Sequence, residues 1–155
     1  SAYMLGNGEE VMLAATDLLA ETKVAPELSN EAHYYRAKAY LDAGKVEGVM
    51  DDLKILAKDT RNIYGAEAKY KVAQIYFDAG QTGQAEKEVL DYIEVSTPHT
   101  YWLARSFVLL SDVYMKLGRN LDAKQYLLSL KQNYQADDDI AGMIESRLNK
   151  LNAEN

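Results

Sequence analysis

Cysteine is absent from this chain of 155 residues, which excludes disulfide staples, thiolate metal sites and cysteine nucleophiles together. Proline is nearly absent too, occurring only as Pro26 and Pro98. With no β-branched runs of the kind that build strands, almost the whole length is free to be helical, and no sheet is expected. Long apolar runs are missing. The longest, Val11 to Ala15, is five residues, against the roughly twenty needed to cross a bilayer, so no membrane span is expected. Basic charge is the last shortage, with 17 Lys and Arg against 24 Asp and Glu and a net charge of −7. A duplex-binding surface needs a basic stripe to displace counterions from phosphates, so nucleic acid is not an expected partner.

What the chain has instead is a phrase spoken three times: Tyr40-Leu41-Asp42-Ala43-Gly44-Lys45, Tyr76-Phe77-Asp78-Ala79-Gly80-Gln81 and Tyr114-Met115-Lys116-Leu117-Gly118-Arg119. The glycines stand 36 and 38 residues apart, a spacing that marks a repeat array. Seven residues before each glycine the side chain is small: Ala37, Ala73 and Ser111. After each glycine, apolar residues recur at matching offsets, as Val49, Ala85 and Ala123, then Leu53, Val89 and Leu127, then Leu56, Tyr92 and Leu130. Such offsets describe two helices with a glycine between them, repeated as a stacked all-α solenoid.

The first helix of each pair is expected over residues 30–43, 63–79 and 99–117, with apolar residues nearly all round, as buried helices have. The second, over 46–58, 83–94 and 121–133, carries a cleaner apolar stripe with one wet face. The glycines suit left-handed helix ends, Pro98 closes the middle pair, and Ser29 and Asn30 are candidate caps for the helix that follows. Residues 9–22, with Val11, Ala14, Ala15, Leu18 and Leu19 on one side, read as the second helix of a unit whose first helix is mostly missing. Residues 138–152 put Ile140, Met143, Ile144, Leu148 and Leu151 on one face and Glu145, Arg147, Asn149 and Lys150 elsewhere, as a solubilising terminal cap does. The expected organisation is one domain over 1–155: a partial unit over 1–29, units over 30–62, 63–98 and 99–136, and a capping helix over 137–155. It reads as the closing segment of a longer array, with the half unit at the start as a route to self-association.

Ala73, Tyr76, Gly80 and Ala85 are the clearest instance of a pattern that resembles the tetratricopeptide repeat family, and over about residues 31–135 the resemblance recurs three times. It implies a right-handed α-α superhelix of helix-turn-helix units that binds proteins without catalysis. This sequence departs from the family where a large residue is common early in the first helix: His33 and Lys69 stand there, and only Phe107 conforms. Only Pro98 stands near the usual closing proline. The long units are similar to those of bacterial cell-envelope solenoids such as the outer-membrane assembly lipoproteins and the Tol-Pal coordinator, which implies a periplasmic or envelope setting over a cytoplasmic one.

In that family the first helices line a concave groove. Motif positions carried over to this chain give Glu31, Tyr34, Lys38 and Leu41 from the first unit, Glu67, Tyr70, Gln74 and Phe77 from the second, and Arg105, Val108, Asp112 and Met115 from the third. Tyrosine and arginine are favoured where binding energy concentrates, and a groove centred on Tyr34 and Tyr70 suits an extended peptide or a partner helix. Tyr40, Tyr76 and Tyr114, by contrast, are expected to be packing residues. The family's carboxylate clamp is not matched, because its positions hold Tyr34, Lys38, Tyr70, Lys71, Arg105 and Leu109.

Catalysis is not expected, since no nucleophile elbow, base or phosphate-cradling loop is present. Nor is a metal or cofactor. The two histidines, His33 and His99, fall in different units, and Asp137-Asp138-Asp139 lacks the alternating ligands and central glycine of a calcium loop. Helix capping accounts for it better. Tyr101 and Trp102 leave two readings open: a helix-entry staple, or an aromatic patch for a sugar or other small ligand. Protein binding in the groove is thus the leading expectation, with a ligand receptor or a structural spacer as the alternatives.

Overall fold

The computed structural model describes residues 15–16, 26–95 and 97–153, and the elements among them are all helices. They are α1 (Pro26–Asp42), α2 (Val46–Leu56), α3 (Ile63–Asp78), α4 (Thr82–Glu94), α5 (Thr100–Lys116), α6 (Asn120–Asn133) and α7 (Ile140–Ala153). None of these is long and apolar enough to cross a membrane. Of the helix expected over residues 9–22, Ala15 and Thr16 are helical and the remainder lies outside the described residues.

The repeated phrase becomes the same turn three times. Gly44, Gly80 and Gly118 have φ of 72°, 79° and 78°, a region where a β-carbon costs about 1 kcal/mol. In each turn the amide after the glycine returns to the tyrosine carbonyl: Lys45 to Tyr40 at 2.8 Å, Gln81 to Tyr76 at 2.8 Å, Arg119 to Tyr114 at 2.7 Å. The glycine amides bond to Leu41, Phe77 and Met115. Paired bonds of this kind satisfy carbonyls that a helix end would otherwise leave open. The next helix starts at once, from Lys45, Gln81 and Arg119, none of which caps with its side chain.

Other boundaries differ from expectation. The first helix begins at Pro26, which places Ser29 and Asn30 inside it and not at its cap; proline suits a first helical position because its missing N–H would be unpaired there anyway. The final helix starts at Ile140, and the preceding acidic run caps it: Asp138 Oδ1 accepts the Ile140 N–H at 2.9 Å. The helix before Pro98 has already ended at Glu94, with Val95 extended. Asn62 caps α3 by accepting the Gly65 N–H at 2.8 Å. A β-carbon on Gly65 would lie 1.9 Å from the Asp59 carbonyl oxygen and 2.6 Å from that of Leu56, so only glycine lets the chain leaving α2 pass so close.

Packing divides the chain into two compact units, residues 1–69 and 70–155, with the division falling inside α3. In the first, α1 packs on α2 over a core of small residues, Ala32, Ala37, Ala39, Ala66 and Ala68, with Val49, Leu53 and Leu56. The second has a larger apolar core, in which Ala73, Val89, Leu109, Leu110 and Tyr114 meet Leu127, Ile140, Ile144, Leu148 and Leu151. There α5 packs on α4, α6 and α7. Burying a Leu or Ile of this kind contributes about 1.5–3 kcal/mol.

The recurring apolar positions after the glycines are buried in every unit, from Val49, Ala85 and Ala123 to Leu56, Tyr92 and Leu130. The turn tyrosines are less uniform. Tyr114 is buried at 4% exposure, whereas Tyr40 and Tyr76 are half-buried. Tyr40 lies across α2, where a β-carbon on Gly48 would come within 3.1–3.3 Å of its ring. Ser111 and Ser106, both buried, donate to the Val108 and Trp102 carbonyls of their own helix, so their hydroxyls are satisfied.

Candidate functional site

In the first unit two of the groove candidates, Glu67 and Lys38, meet at Tyr34. Its hydroxyl donates to Glu67 Oε1 at 3.3 Å, its ring lies 4.6 Å from that of Tyr64, and the Lys38 ammonium sits 5.5 Å from its centroid. Burial, with the Glu67 carboxylate adding, holds the Tyr34 hydroxyl well above the usual phenol range. Glu31 and Leu41 are half-buried on α1. A second constellation, which the sequence reading passed over, lies deeper. Asp52 of α2 is 1% exposed. It accepts Arg36 Nε at 2.7 Å and an Arg36 Nη, and its Oδ1 lies 2.6 Å from His33 Nδ1. Arg36 also donates to Thr16 at 3.2 Å. Asp52 holds the Arg36 guanidinium above its ordinary pKa.

In the second unit, Tyr70 and Val108 are buried at 7% and 3% exposure, so they contribute more to the core than to an open surface. The Tyr70 hydroxyl still takes part in a chain of hydrogen bonds. Arg105 Nη2 donates to it at 3.1 Å, it donates to Gln74 Oε1 at 2.8 Å, and Gln74 Nε2 donates to Asp78 at 2.8 Å. The Arg105 guanidinium lies 5.0 Å from the Tyr70 centroid, 5.9 Å from Tyr101 and 6.0 Å from Trp102. Its Nη1 donates to the Tyr101 hydroxyl at 3.0 Å, and that hydroxyl donates to Asp139 at 2.9 Å. Burial raises the Tyr101 hydroxyl pKa. Tyr101 and Trp102 meet edge to face at 5.0 Å and pack against the core. The pair proposed as a ligand patch is thus already occupied by an arginine of its own helix.

Further along α5, Asp112 forms a two-pronged ion pair with Arg147 of α7, at 2.7 and 2.9 Å. Arg147 also donates to the Met143 carbonyl at 3.1 Å. Arg147 therefore faces the protein, whereas its place off the apolar stripe had suggested a solubilising role. A gap of about 90 Å³ is lined by Tyr70, Gln74, Arg105, Val108, Leu109, Asp112, Met143 and Arg147. Beside it opens a cleft of about 330 Å³ lined by Phe77, Asp112, Met115, Lys116 and Lys150. The second unit thus brings together the seven groove candidates Tyr70, Gln74, Phe77, Arg105, Val108, Asp112 and Met115 around adjoining spaces.

The structure adds Leu109, Lys116, Met143, Arg147 and Lys150 to that set. A signal for the last three was available: spacings of four and three place residues 143, 147 and 150 on one face of a helix. Among the described residues no three histidine, aspartate or glutamate side chains converge as a metal site would require. No family model, no curated protein and no solved structure matches the chain.

Proposed function

We propose that the chain is a non-catalytic binding scaffold: tetratricopeptide-like helical pairs wound as a right-handed solenoid and closed by α7, which hold a peptide or a partner helix on their first helices. The observation that carries this reading is a division of labour along the repeats. Positions that recur after each glycine are buried, whereas the variable positions Phe77, Asp112 and Met115, together with the exposed Lys116, line an open cleft. An array that keeps its recurring residues for stacking and varies the rest is built for recognition. Phe77 and Met115 suit this role, because both are partly buried against the core and so can anchor a ligand side chain with little loss of rotamer freedom. The occupied rings of Tyr101 and Trp102 favour a protein partner over a sugar.

Selection of peptides from a random display library on the intact chain tests this. Enriched peptides should lose binding when Phe77→Ser and Met115→Ser are combined. A selection that enriches nothing, or peptides indifferent to these changes and to Tyr34→Ser, would defeat the groove reading.

A further inference from the structure

We infer that the cleft floored by Phe77 and Met115 takes an acidic peptide segment, seating one of its apolar side chains between Lys116 and Lys150. This inference rests on the scaffold reading and adds the chemistry of the partner. The floor is apolar on both sides. The one carboxylate in the lining, Asp112, is engaged by both prongs of Arg147, so it offers no net negative charge to a ligand. Lys116 and Lys150 are both exposed and make no ion pair with the described residues. The cleft is therefore locally positive in a chain whose net charge is −7, and charge complementarity selects a partner with carboxylates flanking an apolar residue.

Both lysines also lie in the last turns of their helices, where a cation is favoured by the helix dipole. That role alone would leave binding indifferent to their charge. The volume, about 330 Å³, stands at the lower end of pockets that enclose whole small molecules. It matches a side chain or two of a longer ligand.

Fluorescence anisotropy on the intact chain tests the inference with three labelled peptides of about twelve residues, repeating Glu-Leu-Asp-Phe, Lys-Leu-Arg-Phe or Glu-Ser-Asp-Ser, a scale on which about tenfold in Kd is readily resolved. The first should bind at least about tenfold more tightly than the other two, and weaken as salt rises from about 50 to about 300 mM. Combining Lys116→Glu with Lys150→Glu should cost about tenfold or more, and combining Lys116→Gln with Lys150→Gln a smaller factor. The exposed Lys87→Glu, outside the cleft lining, serves as the control and should change nothing. Equal binding of the first two peptides, or an affinity unmoved by the glutamine pair in a folded protein, overturns the inference. Preferential saturable binding of dodecanoate overturns it as well, in favour of a small amphiphile. Library peptides that bind without acidic bias would sink this inference and leave the scaffold reading intact, whereas a chain that enriches no peptide at all sinks both.

Discussion

The two compact units solve the same problem with different materials. In the second, large aliphatic side chains from α5, α6 and α7 fill a continuous core. In the first, alanines dominate the buried set, and a buried carboxylate binds an arginine and a histidine across the α1–α2 contact. The aliphatic core tolerates small shifts because its attraction is not directional. The polar knot does not, since an ion pair out of water repays its desolvation only in good geometry. The second unit gains stability from area and the first gains register from specific bonds.

The largest effect should come from hollowing the apolar core. Ile144→Ala removes a side chain 2% exposed and should cost about 3–4 kcal/mol, read as a lower denaturation midpoint in the emission of Trp102, the only tryptophan. A loss under about 1 kcal/mol would mean that this core is loosely packed.

Removing charge should strike the first unit next. Asp52→Ala strands the Arg36 side chain and should cost about 3 kcal/mol, seen as faster amide hydrogen exchange in α1 and α2. Combining His33→Leu, Arg36→Met and Asp52→Leu should recover most of that loss, because an apolar set of similar volume pays no desolvation. Failure to recover would mean that the knot contributes net stability as well as register.

Gly65→Ala sharpens the contrast at about 2 kcal/mol, since backbone atoms and not a flexible side chain must yield to the new β-carbon. Thermal melting of the variant checks it, and Gly83→Ala, where a β-carbon meets nothing within 4 Å, is the matched control.

The smallest effect is alkaline. Burial, with the neighbouring Glu86 carboxylate adding, raises the Tyr114 hydroxyl from 10.0 to about 12. A proton held more tightly when folded leaves stability unchanged below pH 10 and lowers it as pH climbs from there towards 12. Tyr114→Phe should flatten that slope in a series of denaturant titrations; an unchanged slope would assign it to other groups, of which Tyr134, also raised to about 12, is the first to try.

The helical pairs were legible because their signals are local. A glycine in a left-handed turn and an apolar residue every third or fourth position are both readable within a few residues, and Gly44, Gly80 and Gly118 adopt the conformation that the repeated phrase implies. The tyrosine of the same phrase was less legible: Tyr76 is half-buried where a packing residue was expected, and only Tyr114 is buried. Asp52 was illegible for a different reason. An aspartate in an amphipathic helix reads as solvent-facing, and its partners lie 16 and 19 residues away. Arg147 was misread similarly, since its partner Asp112 is 35 residues distant. Among the groove candidates, Tyr70 and Val108 turned out to be interior because neighbouring helices, not their own pattern, decide which side of α3 and α5 is covered.

The threefold turn also carries a consequence for engineering. Since Tyr40, Tyr76 and Tyr114 each receive the amide of the residue after the glycine in the same way, the three junctions are interchangeable as joints. A chain cut after one turn and rejoined after another keeps its backbone bonding at the seam. The cassette gained or lost in such a cut is a second helix with the first helix that follows it, so the chain changes by one repeat length while each turn keeps its two backbone bonds.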